Sequence, residues 1–275
     1  MAESTVVEEA WWLTFNHPEL DELIHQALAH NPSLEQVWAR LTQADATAKR
    51  LGAARLPSIN LTGGLTRTEA INTSVDNNQW SGGAAVPSYE LDLWGRVNAV
   101  QAAAQLDAEG ARLAVETAAM SLSTEVATRW HSLIARRMEL AILREQLEAN
   151  RTSLELIELR FRKSLSTGLA VLQQRQTVEA TAALIPLAER AERAAELELA
   201  ALLGKTEPIA IKSTALCDLP PLPPLGIPAT LLEQRPDVQR ARTALDAASW
   251  RVAAARADRL PAIRLAAAAA RRARA

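Results

Sequence analysis

The sequence is poor in cysteine and in aromatic residues, and both scarcities narrow the possible folds. Cys217 is the single cysteine, so no intramolecular disulfide can form. It lies in the turn-rich stretch STALCDLPP, without the histidine partner or helix N-terminus that would activate a thiol, and we expect it to be unreactive. Aromatic residues make up only 4% of the 275 residues, while alanine, leucine, glutamate and arginine dominate. This composition favours long helices and coiled coils.

Long apolar runs and an excess of one charge are also missing. No stretch reaches the 18 or more consecutive apolar residues of a membrane-spanning helix, although short alternating transmembrane strands escape such a helix-sized window. Met1 is followed by the acidic stretch AESTVVEEA, which lacks the apolar segment of a secretory signal. The net charge of -2 produces no field that would attract nucleic acid, and we expect no nucleic-acid partner.

Residue sets that carry catalytic or metal chemistry do not occur in the sequence. The four histidines have no metal-ligand spacing and no cysteine or carboxylate that completes a set: His17, His25, His30 and His131. There is no nucleophile elbow, no P-loop and no dinucleotide-binding fingerprint. We therefore expect no enzyme activity, no catalytic residues, no metal site and no cofactor.

The N-terminal part has a helical period. From Leu20 to about Ala54, apolar residues recur at three- and four-residue steps, which predicts helix. Asn31-Pro32-Ser33 divides this segment into a short helix and a longer one, because Pro32 fits the first helical position after an asparagine cap. The longer helix is predicted to end at Leu56-Pro57. Trp11 and Trp12 are expected to be packing anchors.

A second helical region shows a sustained seven-residue repeat. The column consists of Val126, Leu133, Leu140, Leu147, Leu154 and Phe161. The second set of positions in the repeat is only partly apolar, because it includes the polar residues Arg137 and Asn150. Such a repeat specifies a helix that is supercoiled on a neighbour. The sequence predicts a helix from Trp94 to Leu165 that is ~100 Å long.

This helix is predicted to be the first arm of a hairpin. Ser166-Thr167-Gly168 breaks the pattern, and the simplest interpretation is a tight turn that needs glycine. A second helix then runs to Leu203-Gly204, where Gly204 is predicted to be the C-cap. Pro186 within it would bend the helix or mark a join.

Residues 58 to 93 instead have a two-residue period. Residues 59–66 and 79–86 each alternate apolar or tiny residues with polar or tiny ones, on either side of the loop INTSVDNNQ. This alternation predicts two strands of roughly ten residues, each with an apolar face and a polar face. Trp80 and Trp94, at opposite ends of the second strand, would suit a membrane interface if the strands span a bilayer.

The chain contains an internal repeat. Residues 31–61 align without a gap on residues 235–265, at a constant offset of 204 (236 minus 32, 261 minus 57). The matched pairs are Pro32/Pro236, Leu41/Leu245, Ala44/Ala248, Ala53/Ala257, Arg55/Arg259, Leu56/Leu260, Pro57/Pro261, Ile59/Ile263 and Leu61/Leu265. Pro57 and Pro261 mark the start of the strand in each copy. Residues 265–275 do not have the alternating polarity of a strand, which indicates a frameshifted or fragmentary end.

The order of these motifs resembles the TolC-like outer-membrane efflux channels, and among them the NodT-type lipoprotein branch. The motifs are WWLTF, NPSL, LPSINL, SYELDLWGR, RFRKSLSTGLAVLQQ, LAALLGK and PLGIPATLLEQRPDV. The similarity covers nearly all of this chain but little more than half of a family member. It implies a mainly α fold with a small β part, in which long helical hairpins form an α-barrel and strands belong to a transmembrane β-barrel. The chain would be a truncated protomer of a trimeric channel.

The resemblance also implies a domain organisation. The expected segments are 1–56 as a periplasmic or equatorial segment with the first α-barrel helix, 57–93 as two barrel strands with an extracellular loop, 94–204 as the hairpin with a turn near 166–169, 205–234 as a Pro-rich connector, and 235–275 as an incomplete second repeat. The junction between barrel and tunnel would be Glu90, Asp92, Trp94, Gly95 and Arg96. The tip that meets the adaptor would be Ser166, Thr167, Gly168 and Leu169.

The function implied by the resemblance is passive export. The protein would be the outer-membrane duct of a tripartite efflux system in a Gram-negative bacterium, conducting small molecules such as drugs or toxic solutes across the periplasm and outer membrane. Its partners would be two further copies, outer-membrane lipid, a periplasmic membrane-fusion adaptor and an inner-membrane pump. This chain lacks the family's lipidated cysteine. The alternatives are a soluble coiled-coil scaffold, for which two glycine-rich strands serve no purpose, and a non-functional fragment of a channel.

Overall fold

A computed structural model describes residues 10–68, 77–218 and 233–274. The chain divides into two compact units, the first formed by Met1–Val37 and Val115–Ile227 and the second by Trp38–Ala114 and Pro228–Ala275. In chain order the elements are a 3-10 helix Trp11–Phe15, α1 Pro18–His30, α2 Pro32–Gly52, a 3-10 helix Ala53–Arg55, β1 Asn60–Thr68, β2 Asn77–Leu91, α3 Arg96–Arg162, α4 Gly168–Leu202, α5 Pro236–Ala257 and β3 Ile263–Arg274. The predicted fold class, mainly α with a small β part, is confirmed.

The first unit has its core where α1 packs against α3 and α4. Trp130 is fully buried there, together with Trp12 and Leu199. The seven-residue column of α3 follows the burial: Val126 and Leu133 are fully buried, whereas Phe161 at the far end of the helix is 49% exposed. The repeat therefore stabilises α3 most strongly near the core and progressively less towards the turn.

The two polar interruptions of the seven-residue repeat are paired with α4. Arg137 donates from Nε to Glu192 at 3.0 Å and from Nη2 to Glu196 at 2.8 Å. Asn150 donates to the hydroxyl of Thr181 at 3.0 Å. Because a buried polar group that lacks a partner costs free energy, these bonds favour one register of α3 on α4 over all others.

Two side chains hold the segment that follows α4. Arg137 donates from Nη1 to the carbonyl oxygen of Ile211 at 2.7 Å, and Glu19 of α1 accepts from the backbone N–H of Lys212 at 2.7 Å and from the Ser213 hydroxyl. Burial by itself raises the pKa of Glu19, but the hydrogen bonds from Ser213 and Lys212 outweigh it and lower the pKa below its ordinary value. The ionised carboxylate therefore stabilises this segment.

Cys217 lies at the edge of the same core. Its Sγ is 3.2 Å from Nε2 of His131, so the expectation that this cysteine has no histidine partner was wrong. The contact joins residues 86 positions apart, from α3 and from the segment after α4. Sequence neighbours therefore gave no indication of it.

The helices begin and end at the predicted capping residues. Asn31 caps α2, because its Oδ1 accepts from the N–H groups of Ser33 and Leu34. Gly204 adopts a left-handed φ of +69° after α4, which confirms the predicted glycine C-cap. Pro186 lies inside α4 and does not mark a join, since the helix runs through it from Gly168 to Leu202. No helix in the described parts of the chain combines the length and apolar character needed to cross a membrane.

The second unit contains an antiparallel sheet of order β1-β2-β3. β1 and β2 are the two predicted strands, paired from Asn60↔Ala85 to Thr68↔Asn77. β3 corrects the expectation for residues 265–275, since the chain forms a strand up to Arg274 that pairs with β2 across a bulge between Val86 and Tyr89. Backbone pairing, which needs no alternation of side chains, is what makes this alanine-rich segment a strand.

The internal repeat extends to the helices. α5 begins at Pro236 and α2 at Pro32, which are equivalent positions of the repeat. β3 likewise starts after Pro261, as β1 starts after Pro57. The second copy therefore reproduces the helix and the strand entry of the first.

Candidate functional site

The junction between β2 and α3 is built around an N-terminal cap. β2 ends at Leu91 and α3 begins at Arg96. The carboxylate of Asp92 accepts from the N–H groups of Val97 at 3.0 Å and Asn98 at 2.8 Å. These donors have no partner within the helix, and the negative charge opposes the positive end of the helix dipole. Gly95 has a φ of +70°, which glycine adopts without strain.

A charged cluster fixes the same junction. Glu90 accepts two hydrogen bonds from Arg96, at 2.7 Å from Nε and 2.9 Å from Nη2, in a bidentate pair. The Glu90 side chain is only 17% exposed. Arg264 of β3 lies 3.8 Å from the same carboxylate, and Asp258 lies 3.5 Å from Arg96. The pair therefore ties the end of β2 to the start of α3 and to the second copy of the repeat.

The segment Tyr89–Trp94 binds both copies of the repeated Arg-Leu-Pro sequence, at residues 55–57 and 259–261. Trp94 donates from its indole Nε1 to the carbonyl oxygen of Pro261 at 3.0 Å. The hydroxyl of Tyr89 donates to the carbonyl oxygen of Arg55 at 3.3 Å. The five predicted junction residues thus lie together with Pro261, while Pro57 is exposed between the 3-10 helix and β1. Tyr89 was not predicted as a junction residue, although it lies within the SYELDLWGR motif.

The sheet presents two chemically different faces. Partners across an antiparallel pair point to the same side, and Leu65 pairs with Trp80 while Leu61 pairs with Ala84. Leu61, Leu65 and Trp80 are 80%, 58% and 57% exposed on this apolar face. The opposite face carries polar or small residues: Asn60, Thr62, Gly64, Thr66, Ser81 and Gly83. Large apolar side chains are therefore exposed on one side of β1 and β2, which is typical of a surface that another apolar phase covers. Arg271 of β3, which pairs with Gly82, lies on the same side.

The turn of the hairpin lies slightly earlier than predicted. α3 ends at Arg162, and α4 begins at Gly168 with Thr167 as its N-cap, whose hydroxyl accepts from the N–H of Ala170. The left-handed residue is Ser164, with a φ of +60°, so the expectation that the turn needs Gly168 was wrong. Ser164 can take this conformation because Leu165 closes the turn with a hydrogen bond to the carbonyl of Arg160.

Exposed leucines surround this turn. Leu165, Leu169 and Leu172, called the tip leucines below, are 76%, 66% and 63% exposed. Of the predicted tip residues, Ser166 and Thr167 precede α4 and Gly168 and Leu169 are its first two residues. Leu165 and Leu172 were not predicted as tip residues, although both are apolar residues next to a predicted turn. Within the described ranges, no three His, Cys, Asp or Glu residues are grouped to hold a metal ion.

The model of one family matches a large part of the chain. Residues 23–205 match the family described as outer membrane efflux protein. Among curated relatives, the chain is 32% identical to the pyoverdine export outer membrane protein OpmQ of Pseudomonas putida, over 94% of this chain and 57% of that protein. It is 33% identical to the fusaric acid resistance protein FusA of Burkholderia cepacia, over 93% and 50%. Nodulation protein T of Rhizobium leguminosarum bv. trifolii is 26% identical, over 93% and 56%.

Solved structures share the fold of this chain. The outer-membrane channel OprN superposes with a TM-score of 0.80 at 24% identity, covering 98% of this chain and 66% of that one. A structure of CusC superposes with a TM-score of 0.82 at 24% identity, covering 99% and 63%. The chain spans about half the length of the curated relatives it matches. With a family model that covers most of its residues and this shared fold, the chain belongs to the outer membrane efflux protein family.

Proposed function

We propose that this chain is part of an outer-membrane channel subunit of a tripartite efflux system, which exports small molecules such as drugs and toxic solutes through a passive duct. The observation that carries the proposal is the two-faced sheet, in which Leu61, Leu65 and Trp80 are exposed on one side and Asn60, Thr62 and Thr66 on the other. A transmembrane barrel strand needs this segregation, because one face meets lipid and the other meets water. Export by relatives such as the pyoverdine protein supports the same role.

The sheet requires further strands. In the order β1-β2-β3 the outer edges of β1 and β3 have no strand partner among the described residues. Unpaired backbone N–H and C=O groups cannot be left in lipid, so the strands must close into a ring with those of other copies. We infer a homotrimer, as the family resemblance implies, with the helical hairpin extending into the periplasm.

The tip of the hairpin would be the docking site for a periplasmic adaptor, which in turn contacts an inner-membrane pump. Support comes from the three tip leucines, because exposed apolar side chains around a turn offer area that a partner can bury. A photo-crosslinker at Leu169 is expected to capture the adaptor. At the control position Ile142, which is 61% exposed on α3 outside the turn, it is expected not to. Equal capture at both positions would contradict docking at the tip.

The channel proposal is tested by a matched pair of substitutions. The chain, extended in its natural reading frame, is expressed and located by membrane fractionation, and its assembly is followed as a detergent-resistant trimer. Leu61→Arg places a charge on the apolar face at the level of Ala84, between Trp80 and Trp94, and is expected to reduce the trimer strongly, because arginine facing lipid costs about 2–4 kcal/mol per subunit near the midplane. Thr62→Arg, on the polar face, is expected to assemble normally. Equal effects, or a monomer outside the membrane fraction, would refute the proposal.

A further inference from the structure

A single arginine of β3 lies on the apolar side of the sheet. Arg271 pairs with Gly82 of β2, which in turn pairs with Gly63 of β1. Partners across antiparallel pairs share one side of a sheet, so Arg271 lies on the side that carries Leu61 and Trp80. Its side chain is exposed. Because a guanidinium stays charged at every physiological pH, this side of the sheet carries a permanent cation.

The neighbouring strands supply no counter-charge for this arginine. Glu90 is the one acidic residue of the three described strands, and it is bound by Arg96 and lies 3.8 Å from Arg264. Arg264 is seven positions along β3 from Arg271 (271 minus 264). Within the part of the chain that the structure describes, Arg271 makes no ion pair. A charge beside apolar surface is costly without a partner, so an anion from outside the chain would stabilise it.

The position of Arg271 along the sheet indicates where that anion lies. Trp80 pairs with Ala273, so Arg271 is two residues inward from the row of this tryptophan, about 6–7 Å along the strand. Tryptophan is enriched where the apolar layer of a membrane meets water. The apolar stem of an arginine can span this distance while its charged head turns towards the interface. The guanidinium therefore reaches the level of lipid headgroups.

The surface next to Arg271 is open. A Cβ placed on Gly82 or Gly63 would meet nothing within 4 Å. The paired row on one side of these glycines contains Trp80, which is 57% exposed, and the row on the other side contains Ala84. A headgroup thus has room beside the guanidinium, and a phosphate can accept two parallel hydrogen bonds from it.

We propose that Arg271, Gly82 and Trp80 form a binding site for the phosphate group of an anionic lipid. The guanidinium donates to two phosphate oxygens, the glycine leaves room for the headgroup, and the indole packs against the upper part of an acyl chain. Charge complementarity selects the occupant, because the phosphate of an anionic lipid has no cation within its own headgroup. This inference rests on the proposed function, since it requires the apolar side of the sheet to face lipid.

Binding of phosphatidylglycerol tests the proposal. The chain, extended in its natural reading frame, is purified as the trimer in a neutral detergent, and bound lipid is measured by native mass spectrometry. Arg271→Gln is expected to weaken phosphatidylglycerol binding about tenfold, because hydrogen bonds to a charged group are lost. Binding of phosphatidylcholine with the same acyl chains is expected to change little. Arg272→Gln is the matched control, since Arg272 pairs with Ser81 on the polar side and its loss is expected to leave phosphatidylglycerol binding unchanged.

Two further variants separate the site from a general attraction between charges. Arg271→Lys keeps the charge but not the two parallel donors, and it is expected to retain part of the affinity for phosphatidylglycerol. Gly82→Val keeps the arginine but fills the space beside it, and it is expected to weaken binding severalfold.

The outcomes that would overturn the lipid site differ from those that would overturn the channel. Equal phosphatidylglycerol affinities of the wild-type and Arg271→Gln trimers would refute the site, and so would equal losses in Arg271→Gln and Arg272→Gln. Both results leave the channel proposal intact, because the trimer has formed. A wild-type chain that forms no trimer would refute the proposed function and this inference with it.

Discussion

The guanidinium of Arg137 is the most informative single group to remove. It binds Glu192 at 3.0 Å and Glu196 at 2.8 Å, and the three side chains are only 19%, 23% and 18% exposed. Arg137→Ala leaves two carboxylates close together on α4 without their cation, and the carbonyl of Ile211 without its donor. Removing one partner of a largely buried ion pair costs about 3–5 kcal/mol, and the remaining exposure places this cluster at the lower end, at about 3 kcal/mol.

The neighbouring Arg136 provides a control for this measurement. It pairs with Glu139 at 2.9 Å, but both side chains are about half exposed, so Arg136→Ala is expected to cost no more than about 0.5 kcal/mol. Urea unfolding followed by far-UV circular dichroism gives both values. A double-mutant cycle with Glu192→Gln should return a coupling energy of about 1–3 kcal/mol. Equal losses for Arg137→Ala and Arg136→Ala would refute the view that this cluster fixes α3 on α4.

Three further predictions concern a turn, a pH-dependent contact and the junction. Gly204→Ala should destabilise the fold by about 1–3 kcal/mol, because φ is +69° and a Cβ would lie 2.7 Å from the carbonyl oxygen of His30. Gly110→Ala, inside α3 with nothing within 4 Å, should stabilise it by up to about 1 kcal/mol; a rise in Tm for Gly204→Ala or a fall for Gly110→Ala would contradict the corresponding prediction. The folded pKa of Glu19 is lowered from 4.5, so its contribution is present above that value and lost as the pH falls through the lowered pKa. The stability difference between the wild type and Glu19→Gln should therefore shrink between neutral pH and about pH 3, and urea midpoints that differ equally at both would contradict this. Trp94→Phe removes the hydrogen bond to Pro261 and should cost about 1 kcal/mol in the same urea assay, whereas no loss would mean that this contact does not stabilise the junction.

The seven-residue repeat and the helix-capping residues made much of the fold predictable. The seven-residue column ending at Phe161 indicated a long helix, and the structure has one from Arg96 to Arg162. Gly204 and Asn31 were correctly identified as helix ends, because capping depends on residues a few positions apart. Patterns of this kind are local, so a sequence displays them directly.

The predictions for β3 and for Cys217 were wrong because both depend on contacts with segments that are distant in the sequence. Residues 265–274 lack alternation, and yet they form β3, because the free edge of β2 supplies backbone partners. Cys217 has its histidine partner 86 positions away. The left-handed turn residue is Ser164, which is held by the hydrogen bond that closes the turn, although glycine would adopt that φ with less strain. The first two depend on a segment that is distant in the sequence, whereas the turn at Ser164 is closed by the nearby residues Arg160 and Leu165.

The sequence by itself therefore determined the helical and strand periods, the internal repeat and the family. Only the tertiary structure decided which polar residues are paired and which apolar faces are left uncovered. Arg137 interrupts a seven-residue repeat in the sequence, but in the fold its guanidinium binds two carboxylates of α4, those of Glu192 and Glu196. Leu41 and Leu245 are identical residues at equivalent repeat positions, yet Leu41 is half-buried and Leu245 is 67% exposed. The physical reason is that periodicity follows from the backbone geometry of one element, whereas burial depends on the presence of a second element against it.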